Sequence, residues 1–124
     1  MSRYMEKVEK YCMTNRISLA LGPVELGHVL GKLEGLDSLP DDSVEKRYRA
    51  HVGKSVELLD LYDGSRVVFD LVLPGEDDAT AGRLSVLSPL GAAVLGLTAG
   101  ERAQVSLFGS QHVYLVCRVF STNS

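Results

Sequence analysis

Residues 82–101, GRLSVLSPLGAAVLGLTAGE, contain three short patterns in succession. Leu84, Ser85, Val86 and Leu87 form an apolar run that suits a strand buried on at least one face. Ser88-Pro89 stops it. A serine accepts from the orphan N–H groups of a helix start, and a proline at the first helical position loses no hydrogen bond, so Ser88 reads as N-cap and Pro89 as the first helical residue. The spacing predicts a helix over 89–97, with Leu90, Ala93, Val94 and Leu97 at i, i+3, i+4 and i+7 as its apolar stripe. Gly91 and Gly96 are small enough for close backbone approach, and Gly100 permits the positive-φ turn into the next strand. A strand, a capped short helix and a glycine turn make a unit compact enough to plug one side of a curved sheet.

The flanking sequence supplies the sheet. Residues 56–61 and 67–73 are rich in Val and Leu and are joined by Asp63-Gly64-Ser65, a strong hairpin signal. A polar acidic loop, residues 75–82, leads into the central block. Two more strands follow it, 102–107 and 113–120, with the turn at 108–111. The first fifty residues read as helical instead. Over 2–14, Tyr4, Met5, Val8, Tyr11 and Cys12 form an apolar stripe opposite Glu6, Lys7, Glu9 and Lys10, which predicts an amphipathic helix that packs on the body or pairs two subunits. Residues 15–21 read as a small strand or a linker. A second helix opens at Gly22-Pro23, carries Leu26, Val29, Leu30 and Leu33 inward, and is expected to stop at Gly35. After an acidic loop with Asp37, Asp41 and Asp42 comes a short basic helix over 43–50, capped by Ser43, with Val44 and Tyr48 four apart. The expected fold class is therefore α+β. A helical region over 1–52, in outline a stunted helical hairpin, precedes a domain over 53–124 built as a twisted antiparallel sheet with one helix lying across it.

Composition narrows the function. The chain has 124 residues, 45% of them hydrophobic and 23% charged, which suits a globular protein with a real core. Its net charge is −3, Trp is absent, and the dense basic run is limited to Lys46, Arg47 and Arg49, so no specific DNA binding is expected. No run approaches the ~20 apolar residues of a membrane span. Cys12 and Cys117 match no metal spacing and read as reduced cysteines of a soluble, cytoplasmic protein. His28, His51 and His112 lie in separate segments without a ligand pattern, no Gly-rich phosphate loop is present, and Cys117 reads as buried and inert in an apolar strand. Neither a catalytic residue nor a metal or other cofactor is expected, and the chain does not read as an enzyme.

The block at 82–101 resembles the C-terminal domain of the GreA/GreB transcript-cleavage factors, in which a strand, a Ser-Pro, a short Leu/Gly-bearing helix and a Gly-Asp/Glu turn follow one another. The segment 53–120, including the hairpin LLDLYDGSRVVFDLVLP at 58–74, is more similar still to the Rnk-like group, Gre-related regulators of nucleoside diphosphate kinase with a shortened N-terminal hairpin. The resemblance implies an FKBP-like fold and RNA polymerase as partner. Prolyl isomerase activity does not follow from that fold, because the family's Trp is missing. In Gre factors, carboxylates at the tip of a long coiled coil enter the polymerase secondary channel and help hold a second Mg²⁺. Asp37, Asp41 and Asp42 occupy the equivalent turn here, on helices too short to reach so far. The residue before the Ser-Pro, often acidic in Gre factors, is Leu87, so Leu87, Ser88, Pro89 and Leu90 are the expected partner contact, with core packing an equal reading for Leu87 and Leu90. The expected function is a transcription regulator that occupies the secondary channel and competes with Gre-type factors without transcript cleavage. The alternatives are an interaction module for another protein and a cleavage-competent Gre-like elongation factor.

Overall fold

A computed structural model describes residues 23–40, 42–107 and 109–121. The amphipathic pattern at 2–14, the link at 15–21, Cys12 and Asp41 lie outside the described residues. Among the described residues two helices come first, α1 (Pro23–Asp37) and α2 (Val44–Tyr48), followed by strands β1 (Lys54–Asp60) and β2 (Arg66–Val72). A 3-10 turn (Ala79–Ala81), β3 (Arg83–Ser85), α3 (Pro89–Val94), β4 (Arg102–Leu107) and β5 (Ser110–Ser121) complete the described elements.

The strands form one five-stranded sheet in the order β3-β2-β1-β5-β4. β1 pairs antiparallel with both β2 and β5, and β4 pairs antiparallel with β5. The expected all-antiparallel sheet is corrected at its edge, where β3 runs parallel to β2, Asp70 facing Arg83 and Val72 facing Ser85. Antiparallel neighbours can be joined by a two-residue turn, whereas parallel ones need a connection that carries the chain back. Residues 73–82 do this. Asp78 stabilises the return by accepting from the N–H groups of Thr80 and Ala81 at 3.1 and 3.4 Å.

Alternation along the strands puts Val56, Leu58, Phe69, Leu71, Ala103 and Val116 on one face, where they form a continuous core with Val29, Leu33 and Leu36 of α1 and with Val94 and Leu95. α1 is thus part of the body rather than an arm. It also continues past Gly35, the expected stop. Leu36 falls on the same face as Val29 and Leu33, and burying it outweighs the ~1 kcal/mol helix penalty of an exposed glycine. Val44 and Tyr48 of α2, spaced as an inward stripe, are 67% and 54% exposed, and α2 buries no residue. Ser43 does cap it, accepting from the Lys46 N–H at 3.2 Å.

Two strand details differ from the expectation. β5 begins at Ser110, giving a tighter turn from β4. Its register against β1 jumps so that Glu57 faces Arg118 while Leu58 faces Val116, which leaves Cys117 on a bulge. The thiol is half-buried rather than buried, 3.7 Å from the Arg66 guanidinium.

Candidate partner-docking site

The central block folds around Ser85 and Ser88. Ser88 holds extended backbone geometry, its hydroxyl accepts from the Gly91 N–H at 3.0 Å, and the same hydroxyl donates to the Ser85 carbonyl at 2.7 Å. Ser85, itself buried, accepts from the Leu87 N–H at 3.0 Å through its own hydroxyl. Each orphan N–H at the start of α3 that these bonds reach is therefore satisfied inside a tight loop. Proline at the first helical position completes the geometry. The loop closes only because residue 91 is glycine, since a Cβ there would fall on the Ser85 carbonyl oxygen.

α3 is one turn shorter than the predicted 89–97. Its last turn is drawn off by partners far away in sequence. Ala50 donates to the Leu97 carbonyl and accepts from the Gly96 N–H, both at 2.8 Å, so residues 96–97 pair with the segment that precedes β1. Leu95 leaves helical geometry there and its side chain is fully buried. Two cations complete this end. Lys32 Nζ donates to the Ala92 carbonyl at 3.2 Å and Arg49 Nη1 to the Gly96 carbonyl at 2.9 Å. Positive charge at a helix C-terminus meets both the unsatisfied carbonyls and the dipole. Packing against α3 desolvates the Lys32 ammonium and lowers its pKa, although much of that side chain stays exposed.

Beyond α3, the turn into β4 is held by Glu101, whose carboxylate accepts from the Thr98 N–H at 2.8 Å and the Thr98 hydroxyl at 3.0 Å. These two bonds lower the Glu101 pKa below its ordinary value. Gly100 has φ +96°, the left-handed geometry that glycine tolerates best.

The expected contact residues separate on this scaffold. Leu87 is 5% exposed and belongs to the core, so of its two expected readings the apolar partner contact gives way to core packing. Ser88, Pro89 and Leu90 stay half-buried at the start of α3, and Leu90 packs its inner side against the core. Asp37 and Asp42 are not brought to this end of the molecule by any described bond; Asp37 ends α1 and Asp42 is exposed in the turn before α2. Among the described residues, no three His, Cys, Asp or Glu side chains are grouped to hold a metal ion. Lys32, Arg49 and the buried Ser85 hydroxyl were invisible to sequence reasoning. The two cations meet the end of α3 and the residues just after it across 60 and 47 residues, with no local pattern to announce them.

The site is thus a Ser-Pro helix start locked by a small-residue approach, set on a mixed sheet and backed by a packed helix, a compact α+β unit. Residues 45–120 match the family described as transcription elongation factor, GreA/GreB, C-term. The chain is 31% identical over 117 residues to transcription elongation factor GreA of Rhodospirillum rubrum, covering 92% of this chain and 71% of that one. It is 32% identical over 81 residues to the GreA of Chlorobium phaeobacteroides, 64% of this chain but only 51% of its relative, so it spans about half of that protein's length. A GreA/GreB elongation factor structure from Nitrosomonas europaea superposes with a TM-score of 0.67 at 20% identity, over 96% of this chain and 95% of that one. GreA factor homolog 1 of Thermus thermophilus superposes with a TM-score of 0.53 at 21% identity, over 94% and 83%. These likenesses concern the fold. The chain belongs to the GreA/GreB transcription elongation factor family.

Proposed function

We propose that this protein is a cytoplasmic, Rnk-like regulator that binds RNA polymerase at the mouth of its secondary channel and competes there with Gre-type factors without promoting transcript cleavage. Ser88, Pro89 and Leu90 make the contact. The module is FKBP-like in topology, with α3 across the sheet. Neither DNA nor a cofactor takes part. No described helix is long and apolar enough to cross a membrane.

The observation that carries this reading is the place of α1. Its 15 residues extend ~22 Å at 1.5 Å per residue, and Val29, Leu33 and Leu36 are buried in the body of the protein. The five residues of α2 add ~7 Å. Asp37 at the end of α1 and Asp42 in the turn before α2 therefore start from the body of the protein, which supports a reading in which the acidic turn does not reach a polymerase active centre.

The second reading, a cleavage-competent elongation factor, is favoured by the match of 92% of this chain to a protein named elongation factor GreA. A backtracked elongation complex separates the two. In the first reading this protein in excess gives no cleavage and suppresses the cleavage stimulated by a Gre factor. Cleavage by this protein alone, abolished in Asp37→Ala/Asp41→Ala/Asp42→Ala, would establish the second. An amphipathic 2–14 segment that pairs two subunits would show as a dimer in sedimentation; the docking reading stands with a monomer or a dimer.

A further inference from the structure

Both α1 and α3 contribute to the core on one face of the sheet. Strand alternation turns a different set of residues to the other face. One row across four strands reads Arg66 on β2, Leu59 on β1, Leu115 on β5 and Arg102 on β4. The next reads Val68, Glu57 and Arg118. Glu57 bonds Arg66 at 2.8 Å and Arg118 at 3.4 Å, one carboxylate for two guanidiniums that remain 60% and 62% exposed. Arg118 also lies over Phe120, its guanidinium carbon 4.3 Å from the ring centre. Arg102 is exposed, as are Val68 and, extending the strip beyond β1, Leu61. This face carries a positive surplus in a chain of net charge −3, around an aliphatic strip. Apolar surface rimmed by charge marks an interaction site.

We infer that this face is a second docking surface, separate from Ser88–Leu90, and that it takes an acidic amphipathic helix of another protein. Carboxylates of that helix meet Arg66, Arg102 and Arg118, whose planar forks bind carboxylate bidentately. Its aliphatic stripe covers Leu59, Leu61, Val68 and Leu115. Arg66 and Arg102 are three strand spacings apart, about 14 Å at ~4.8 Å each. A helix spans that distance in roughly nine residues, so acidic groups near both ends of a three-turn helix reach both guanidiniums with leucines between. A nucleic acid fits less well. Its phosphates repeat at every nucleotide while the strip between the arginines is aliphatic, and the aromatic ring of Phe120 is already covered by Arg118.

The test is an NMR titration of the full chain with a synthetic 15-residue helical peptide carrying leucines at i, i+3, i+4 and i+7 between two pairs of glutamates. The same peptide with lysines for glutamates, and a short single-stranded RNA, are run in parallel. Shifts confined to β1, β2, β5 and Arg102 with the acidic peptide, and a dissociation constant raised about tenfold in Arg66→Ala/Arg102→Ala, support the assignment. Both arginines are solvent-exposed, so the variant keeps its fold, which unchanged spectra elsewhere verify. No shifts at about 1 mM acidic peptide, or equal binding of the lysine peptide, overturn it. RNA binding lost in the same variant would make the occupant a nucleic acid, and self-association lost in it would make the occupant a second copy; each overturns the proposal as stated. Polymerase binding by the variant is measured alongside. It stays intact if the two surfaces are separate, so failure here does not bear on the Ser88–Leu90 contact.

Discussion

Gly91 carries more of the central block than any side chain in it. Its missing Cβ is what lets the α3 start close onto the Ser85 carbonyl. Gly91→Ala forces that backbone apart, and overpacking of this kind costs about 2–3 kcal/mol, read as a lower urea midpoint with an unchanged m-value. Pro89→Glu is the complementary probe of function. A carboxylate in the first helical turn suits the dipole, so stability changes by less than about 0.5 kcal/mol while the docking surface gains charge and loses its ring; polymerase binding is expected to weaken at least tenfold. Equal binding by this variant would remove Pro89 from the contact. Glu101 makes a third test. Its folded pKa lies below the ordinary value, so the stability it contributes is fully present above about pH 4.5 and is lost as pH falls through the folded pKa. Urea midpoints measured between neutral and acidic pH should fall less steeply over that window in Glu101→Gln than in the parent. At this scale the Ser-Pro start was legible, because cap chemistry is local and strongly typed. The direction of Leu87 stayed open between core and contact, because an apolar residue beside a helix start packs inward or outward according to what lies on the far side.

Elements repeat the same division. The β1–β2 hairpin was readable from Asp63-Gly64-Ser65 and the Val-rich runs around it, and the structure adds that Asp60 and Asp63 tie the turn by accepting from the N–H groups of Tyr62 and Ser65 at 2.8 Å each. β3 was readable as a strand but not as a parallel one, since direction depends on where residues 73–82 carry the chain and not on the strand's own pattern. The length of α3 was misjudged for a similar reason. Its periodicity continues to Leu97, but Ala50 captures the backbone of Gly96 and Leu97 first. α1 shows the opposite case, a stripe that periodicity located and the core extended by one turn to Leu36. Because α1 is part of that core, Leu33→Ala, at a fully buried position, should cost about 3 kcal/mol in global unfolding. Loss of helix without loss of the sheet transition would mean instead that α1 is an independent arm.

On the scale of the whole molecule, a helix lies against one face of a mixed sheet, a Ser-Pro helix start stands at the C-terminal end of β3, and a basic-aliphatic strip lies on the opposite face. Family membership rests on the Gre-type C-terminal domain match over residues 45–120. In the function proposed above, the burial of α1 in the core leaves no long projecting arm among the described residues, and the protein regulates by occupying the channel mouth. The most direct measurement is an equilibrium titration of the labelled full chain with core RNA polymerase, repeated with a Gre factor as competitor. Saturable binding in the micromolar range, displaced completely by the Gre factor, is the expected result. Binding that persists at saturating competitor, or none at tens of micromolar, would contradict it.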